Sequence, residues 1–274
     1  MHHSSLRSAS PLSVLANASR GLLLSLALAA ASGAALAQEP PRNVLGLGAI
    51  SVPDFEGSAD SAVRPLLLGR FDLGGYGSLR LSGLSVQYNI MGPKSPWALG
   101  PVVSMRPARD DGVDDVVVRK LRKVDGTAEA GFFVEYGFMD TLSAGDRLSV
   151  GLEARGGKGT QVTWSARYQG AKMGAFQYSF DLSSTHANDK YMDTYFSVDA
   201  DNSQRSGLPV YKAGGGMKST SLGLTGSYDL SRQWALIGRA SVSRLAGDAA
   251  DSPIVRLRGD NSANSIGIAV AYRF

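Results

Sequence analysis

The feature that most constrains this chain is a one-for-one alternation of apolar and polar residues that recurs in long stretches and runs to the last residue. The chain ends "SIGIAVAYRF", with Ile266, Ile268, Val270, Tyr272 and Phe274 on one parity and Gly267, Ala269, Ala271 and Arg273 on the other. A period of two is that of a strand. Chain ends usually fray unless something ties them down. A strand carried to the final residue therefore calls for a partner strand.

The same pattern fills the interior of the sequence. Phe132, Val134, Tyr136 and Phe138 share a face, as do Leu148, Val150, Leu152 and Ala154. So do Val162, Trp164, Ala166 and Tyr168, and Phe176, Tyr178, Phe180 and Leu182. Leu222, Leu224, Tyr228 and Leu230 follow, then Trp234, Leu236, Ala240 and Val242. The other face carries Glu135, Glu153, Arg155, Arg167, Asp181, Arg239 and many Ser, Thr and Gly. In a soluble sandwich the apolar face turns inward; in a membrane barrel it turns to lipid and the polar face lines the lumen. Strands of soluble proteins average about five or six residues. The stretches here are nine to thirteen residues long, enough for a tilted membrane span. Tyr136, Phe138, Tyr168, Tyr228, Tyr272 and Phe274 stand near stretch ends, where interfacial girdles lie.

The leader points the same way. Arg7 and Arg20 precede the uncharged run "GLLLSLALAAASGAALA", and Ala35-Leu36-Ala37 fits a small-x-small cleavage site. At 17 residues, rich in Ala, Gly and Ser, the run is short for a transmembrane helix. Residues 1–37 are expected to be a cleaved signal peptide and 38–274 the barrel. Loss of Arg7 and Arg20 lowers the net charge from +4 to +2, which removes the electrostatic case for a nucleic-acid partner. The absence of cysteine excludes disulfides and thiolate chemistry.

Twelve spans are expected: 43–52, 62–72, 76–90, 96–106, 127–139, 147–156, 159–170, 174–183, 190–200, 217–230, 231–244 and 263–274. The stretch 76–90 is read as one strand interrupted at Gly83. An even count returns the C-terminus to the N-terminal side, as in single-chain outer-membrane barrels. With the termini periplasmic, 53–61, 201–216 and 245–262 become outer loops and 107–126 falls on the periplasmic side. The last strand should pair with Asn43 to Val52 and close an all-β, antiparallel, transmembrane barrel.

Several stretches resemble the MipA/OmpV family of outer-membrane proteins: the glycine-rich "GLGAIS", the loop Val52-Pro53-Asp54-Phe55-Glu56-Gly57-Ser58, "WALGPVVSM", "EAGFFVEYGF" and the terminal "AYRF". The loop is the most specific of these; the segment "VVVRKLRKVDG" departs from the family pattern. The resemblance implies a scaffold that links a lytic murein transglycosylase to a murein synthase, with outer-membrane lipid around the barrel. Separately, a terminal Phe with apolar residues at every second position, Ile266, Ile268, Val270, Tyr272 and Phe274, resembles the address read by the barrel assembly machinery.

Candidates for chemistry are few. His186 is the one histidine after the leader, with Ser183 and Ser184 nearby, but no G-x-S-x-G motif is present. Asp110, Asp111, Asp114 and Asp115 lack the spacing of a calcium loop and are followed by Arg119, Lys120, Arg122 and Lys123. "AGGGMKST" has Met217 where a phosphate loop needs glycine. Asp54 and Glu56 have two readings, a contact to something outside the cell or, the reading preferred, a turn fixed beside a restricted Pro53 and a permissive Gly57. No cofactor or metal is expected. The reading is a non-enzymatic scaffold of the outer membrane. A small-solute channel is the alternative, and a lipid-modifying barrel resting on His186 is a remote one.

Overall fold

The computed structural model describes residues 43–92 and 94–274. Among them twelve antiparallel strands close into a barrel: β1 Val44–Pro53, β2 Ser61–Asp72, β3 Ser78–Ser82, β4 Ser85–Asn89, β5 Trp97–Arg106, β6 Thr127–Met139, β7 Arg147–Gly156, β8 Thr160–Gln169, β9 Phe176–Ala187, β10 Gly216–Asp229, β11 Trp234–Leu245 and β12 Ser262–Arg273. Each strand pairs with the next. The seam joins β12 to β1, with Val44 opposite Arg273 and Ser51 opposite Ile266. The terminal alternation thus has the partner it requires. The expected signal cleavage at Ala35 and Ala37 lies outside the described residues.

The barrel is inverted relative to a soluble one. Phe132, Trp164 and Ile266 are 71%, 59% and 68% exposed on the outer wall, while Glu129, Gln161 and Lys218 are buried on the lumen side. The parity read from the sequence is the parity of the wall. No helix among the described residues is long and apolar enough to cross a membrane; the outward apolar belt of the strands is the span. Aromatic side chains gather near the end of the barrel that holds Asn43 and Phe274. Trp97 meets Tyr136 at 4.7 Å between ring centroids, Trp234 meets Tyr272 at 4.8 Å, and Phe71 meets Phe274 at 6.4 Å.

Two expected spans were wrong, and the errors cancel in the count. The stretch 76–90 is not one strand. Gly83, at φ +57°, turns the chain back, and β3 and β4 form a hairpin with Ser82 opposite Ser85. The stretch 190–200 is not a strand either. Residues Asp189–Phe196 form helix α1, because Asn188 caps the Tyr191 amide and Tyr191, Met192, Tyr195 and Phe196 bury one helical face. One correction follows for the loops. Because β3 rises and β4 returns, β5 runs away from the terminal end, and 107–126 lies at the opposite end of the barrel, not on the side of the termini.

At that opposite end the long connections pack together as a cap. It contains α1, α2 Ala200–Ser206, α3 Gly247–Asp251 and α4 Pro253–Arg258. One apolar cluster joins α1 to Val124, Leu245, Ala249 and Val255. A second joins Phe55, Val113, Val118, Leu121, Val198, Leu208 and Ile254. Polar ties cross between connections: Arg109 donates to the Tyr195 carbonyl at 2.6 Å, Arg258 pairs with Asp115 at 2.7 Å, and Ser252 donates to the Phe196 carbonyl at 2.6 Å. At the terminal end the turns are short, none longer than the seven residues of 90–96 and 140–146.

Candidate functional site

The most concentrated chemistry lies where the cap meets the lumen. Inward parity delivers Arg106 from β5, Glu129 from β6 and Gln161 from β8, and the bulge between Met217 and Ser219 of β10 turns Lys218 inward as well. The connection after β1 adds Glu56, and α1 adds Tyr191. Lys218 Nζ donates to Glu56 Oε1 at 2.5 Å and to Gln161 Oε1 at 2.8 Å. Tyr191 Oη donates to Glu56 Oε2 at 2.8 Å. Arg106 Nε donates to Glu129 Oε1 at 2.7 Å, and its Nη1 lies 3.5 Å from Glu56. The Arg106 guanidinium also sits over the rings of Tyr191 and Tyr195, at 5.1 and 5.2 Å. Two carboxylates thus face Lys218 and Arg106, with Arg155 3.6 Å from Glu129 as a third cation, and buried charges so paired and hydrogen-bonded are tolerable where single ones are not. Burial alone would raise the Glu56 carboxyl, but Lys218 and Arg106 outweigh it and hold the group below its ordinary value. Tyr191 is pushed above the usual phenol range by burial and by the Glu56 charge.

Further down, paired polar and charged side chains line the lumen wall. Gln87 on β4 donates to Glu153 on β7 at 2.7 Å, and Arg80 on β3 lies 3.6 Å from Glu135 on β6. Arg155 pairs with Glu153 at 2.9 Å, and Arg239 with Asp181 at 2.9 Å.

The motif Val52–Ser58 has a larger part than a turn. Val52 and Pro53 end β1, and Phe55 enters the second apolar cluster of the cap. Asp54 accepts from the Asp114 amide at 3.1 Å and from Arg64 at 3.3 Å. Gly57 has φ +92°, and a Cβ there would lie 2.6 Å from Val255. Ser58 bridges to Gly259. The motif ties the first loop to three others and, through Glu56, to the lumen. Sequence reasoning named Glu56 but missed Lys218, Glu129, Gln161 and Arg106. For Arg106, Glu129 and Gln161 the signal is a charged or amide residue at inward parity close to a strand end; Lys218 shares the parity of Leu222 and Leu224 and turns inward only through the bulge.

The other candidates separate. His186 and Ser184 stand on the outer parity of β9 and Ser183 on the inner, so Ser183 and His186 face opposite sides of the wall. The four aspartates disperse: Asp110 accepts from the Gly112 amide, Asp111 pairs with Lys123, and Asp115 pairs with Arg258. No cluster of three metal-ligating residues occurs among the described residues. In "AGGGMKST" the Gly214 and Gly215 amides are taken by Asp248 and Asp189, both at 2.7 Å. Ile266, Ile268, Val270 and Phe274 lie exposed on the outer wall.

A profile of the family described as "MltA-interacting protein MipA" matches residues 45–274. The chain is 29% identical over 152 residues to the MltA-interacting proteins of Escherichia coli K12 and Shigella flexneri. That match covers 54% of this chain and 57% of each relative, so it spans little more than half of either. Among solved structures, the anion-selective porin of Comamonas acidovorans is 10% identical, with 85% of this chain and 98% of the porin covered and a TM-score of 0.39. OprD of Pseudomonas aeruginosa is 10% identical, with 80% and 61% covered and a TM-score of 0.34.

Proposed function

The chain belongs to the MltA-interacting protein MipA family, and from that premise we propose that it is a non-enzymatic docking protein for a murein-remodelling enzyme. It is a β-barrel of the Gram-negative outer membrane. The short turns mark the end that faces the periplasm, since barrels of this kind keep short turns there and longer loops outside. The murein enzyme, a lytic transglycosylase by analogy with the relatives' name, would dock on that end. The segment Asp110–Lys123, at the far end, is then out of its reach. Residues 1–37 are proposed as the export signal and the terminal alternation as the assembly address.

The observation that carries this reading over a channel is the ion-paired lumen beneath a packed cap. A selective pore is lined by a ring of one charge sign; here Glu135 is matched by Arg80 three strands away, Asp181 by Arg239 two strands away and Glu153 by Arg155 on its own strand, so both signs line the wall. The test is binding of a purified lytic murein transglycosylase to the refolded mature chain in vesicles. Saturable binding at the turn end supports docking. Its absence at every accessible concentration, with the barrel folded, would remove the murein role.

A further inference from the structure

Beside the charge network the lumen has a largely apolar wall. This wall is formed by the inner faces of β1, β2 and β11, where Ile50, Leu66, Leu68 and Ile237 point inward. Apolar side chains on both faces of a barrel strand are unneeded for spanning, which asks for an apolar outer face only. They border a cavity of about 920 Å³ under the cap, within the size range of ligand sites.

The opposite side of this cavity is cationic beyond what its carboxylates balance. Arg167 and Arg239 share one carboxylate, Asp181, at 3.8 and 2.9 Å. Arg109, in the connection after β5, is only 9% exposed and has no carboxylate within ion-pairing distance among the described residues. Its Nη1 meets the Tyr195 carbonyl, but its Nε has no partner, nor has the buried Tyr195 hydroxyl. Burial draws the Arg109 guanidinium down to about 10. Buried donors are nearly always paired, and an unpaired buried cation is costly.

The wall beside this cavity is interrupted. The pairing of β2 with β3 stops at Leu68 and Ser82, with one more bond from the Gly83 amide to Leu67. Above the Gly83–Leu84 turn, Ser61–Leu66 of β2 has no strand partner on that side. The residues that flank the interruption, Pro65 and Leu66, Gly83 and Leu84, Pro107 and Ala108, also line the cavity. Its outer rim carries exposed Val63, Leu84 and Met105. In lipid an open strand edge is tolerated only where it borders protein or a cavity.

We propose that this cavity binds a single-chain anionic amphiphile that enters from the membrane through the gap above Gly83–Leu84. Its carboxylate or phosphate head is held by Arg109 and the Tyr195 hydroxyl. Its alkyl chain lies along Ile50, Leu66, Leu68 and Ile237. The head supplies the acceptor that Arg109 Nε and Tyr195 Oη lack, and the chain covers the inward apolar wall. Nothing in this depends on a murein partner.

The experiment is fluorescence titration of the refolded mature chain, in an uncharged detergent, with cis-parinaric acid and with the corresponding uncharged alcohol. The expected result is saturable binding of the acid, at least tenfold tighter than that of the alcohol and undisturbed by millimolar inorganic phosphate. Arg109→Gln should weaken the acid at least tenfold without changing the alcohol. Leu68→Trp, which fills the apolar side, should abolish both, with folding checked by gel mobility before heating. Equal binding of acid and alcohol by the wild-type chain would overturn the assignment, whatever the variants do. So would displacement by inorganic phosphate alone, which marks a free-anion site, or wild-type affinity in the two folded variants.

Discussion

Lys218 Nζ lies 2.5 Å from Glu56 Oε1, although 162 residues separate them in sequence. The contact fastens the first loop, carried by β1, to the inner wall at β10. Removing one partner strands the other in a site where Lys218 is only 5% exposed. Glu56→Gln should therefore loosen the cap by about 2–3 kcal/mol, less than a fully buried pair would lose. Lys218→Met added to Glu56→Gln should restore part of the loss. Limited proteolysis of the cap in vesicles reads both effects, and equal protection in all forms would show that the pair contributes nothing.

The same contact sets a pH dependence. Glu56 and Asp115 are both held below their ordinary values of 4.5 and 3.8. Burial opposes this in each case, and Lys218 with Arg106, or Arg258 with the Val117 and Val118 amides, prevails. A carboxyl lowered on folding stabilises fully above its unfolded value and loses that contribution as pH falls through the folded value. The cap should keep its protease resistance from neutral pH to about 4.5 and lose it progressively below. Glu56→Gln should flatten the upper part of that loss. Resistance that instead falls between pH 8 and pH 6 would point to groups other than these.

Closure at the seam depends on close backbone approach. A Cβ on Gly48 would lie 1.9 Å from the Ile268 carbonyl oxygen. Gly48→Val should prevent β1 from docking on β12, whereas Ala49→Val, on the outer parity, should fold normally. The fraction of heat-modifiable protein after refolding measures this. Similar yields for the two variants would contradict the seam register.

The two faces give another paired comparison. Leu152 stands on the outer wall opposite Val134 and Trp164, and Ser165 stands on the lumen side opposite Gly151. An arginine toward lipid costs about 2–4 kcal/mol near mid-depth, and one toward the polar lumen much less. Leu152→Arg should lower unfolding stability in vesicles clearly more than Ser165→Arg. The reverse order would mean the wall is inside out.

Parity was legible in the sequence because lipid and lumen act on every strand alike, so each segment repeats the same signal. The seam was legible for the same reason. What failed was local. From the sequence Gly83 reads as an interruption, because either half of 76–90 is too short to span alone, yet φ +57° at that glycine folds the halves into a hairpin. In 190–200, the buried pairs Tyr191–Met192 and Tyr195–Phe196, four residues apart behind an Asn cap, were the helical signal. The cap network was not legible, because Glu56, Arg106, Glu129, Gln161 and Lys218 meet only once the barrel is closed. Arg109 gave no sign at all, since its isolation is a property of the folded interior.

A barrel closed to ions, as proposed from its ion-paired lumen wall and packed cap, is open to test by planar-bilayer recording of the purified, refolded mature chain. The expected record is a quiet baseline at moderate voltage, with insertion confirmed independently by heat-modifiable protein recovered from the membrane. Stable, repeated conductance steps of porin size that require only the folded chain would contradict it and make the protein a channel.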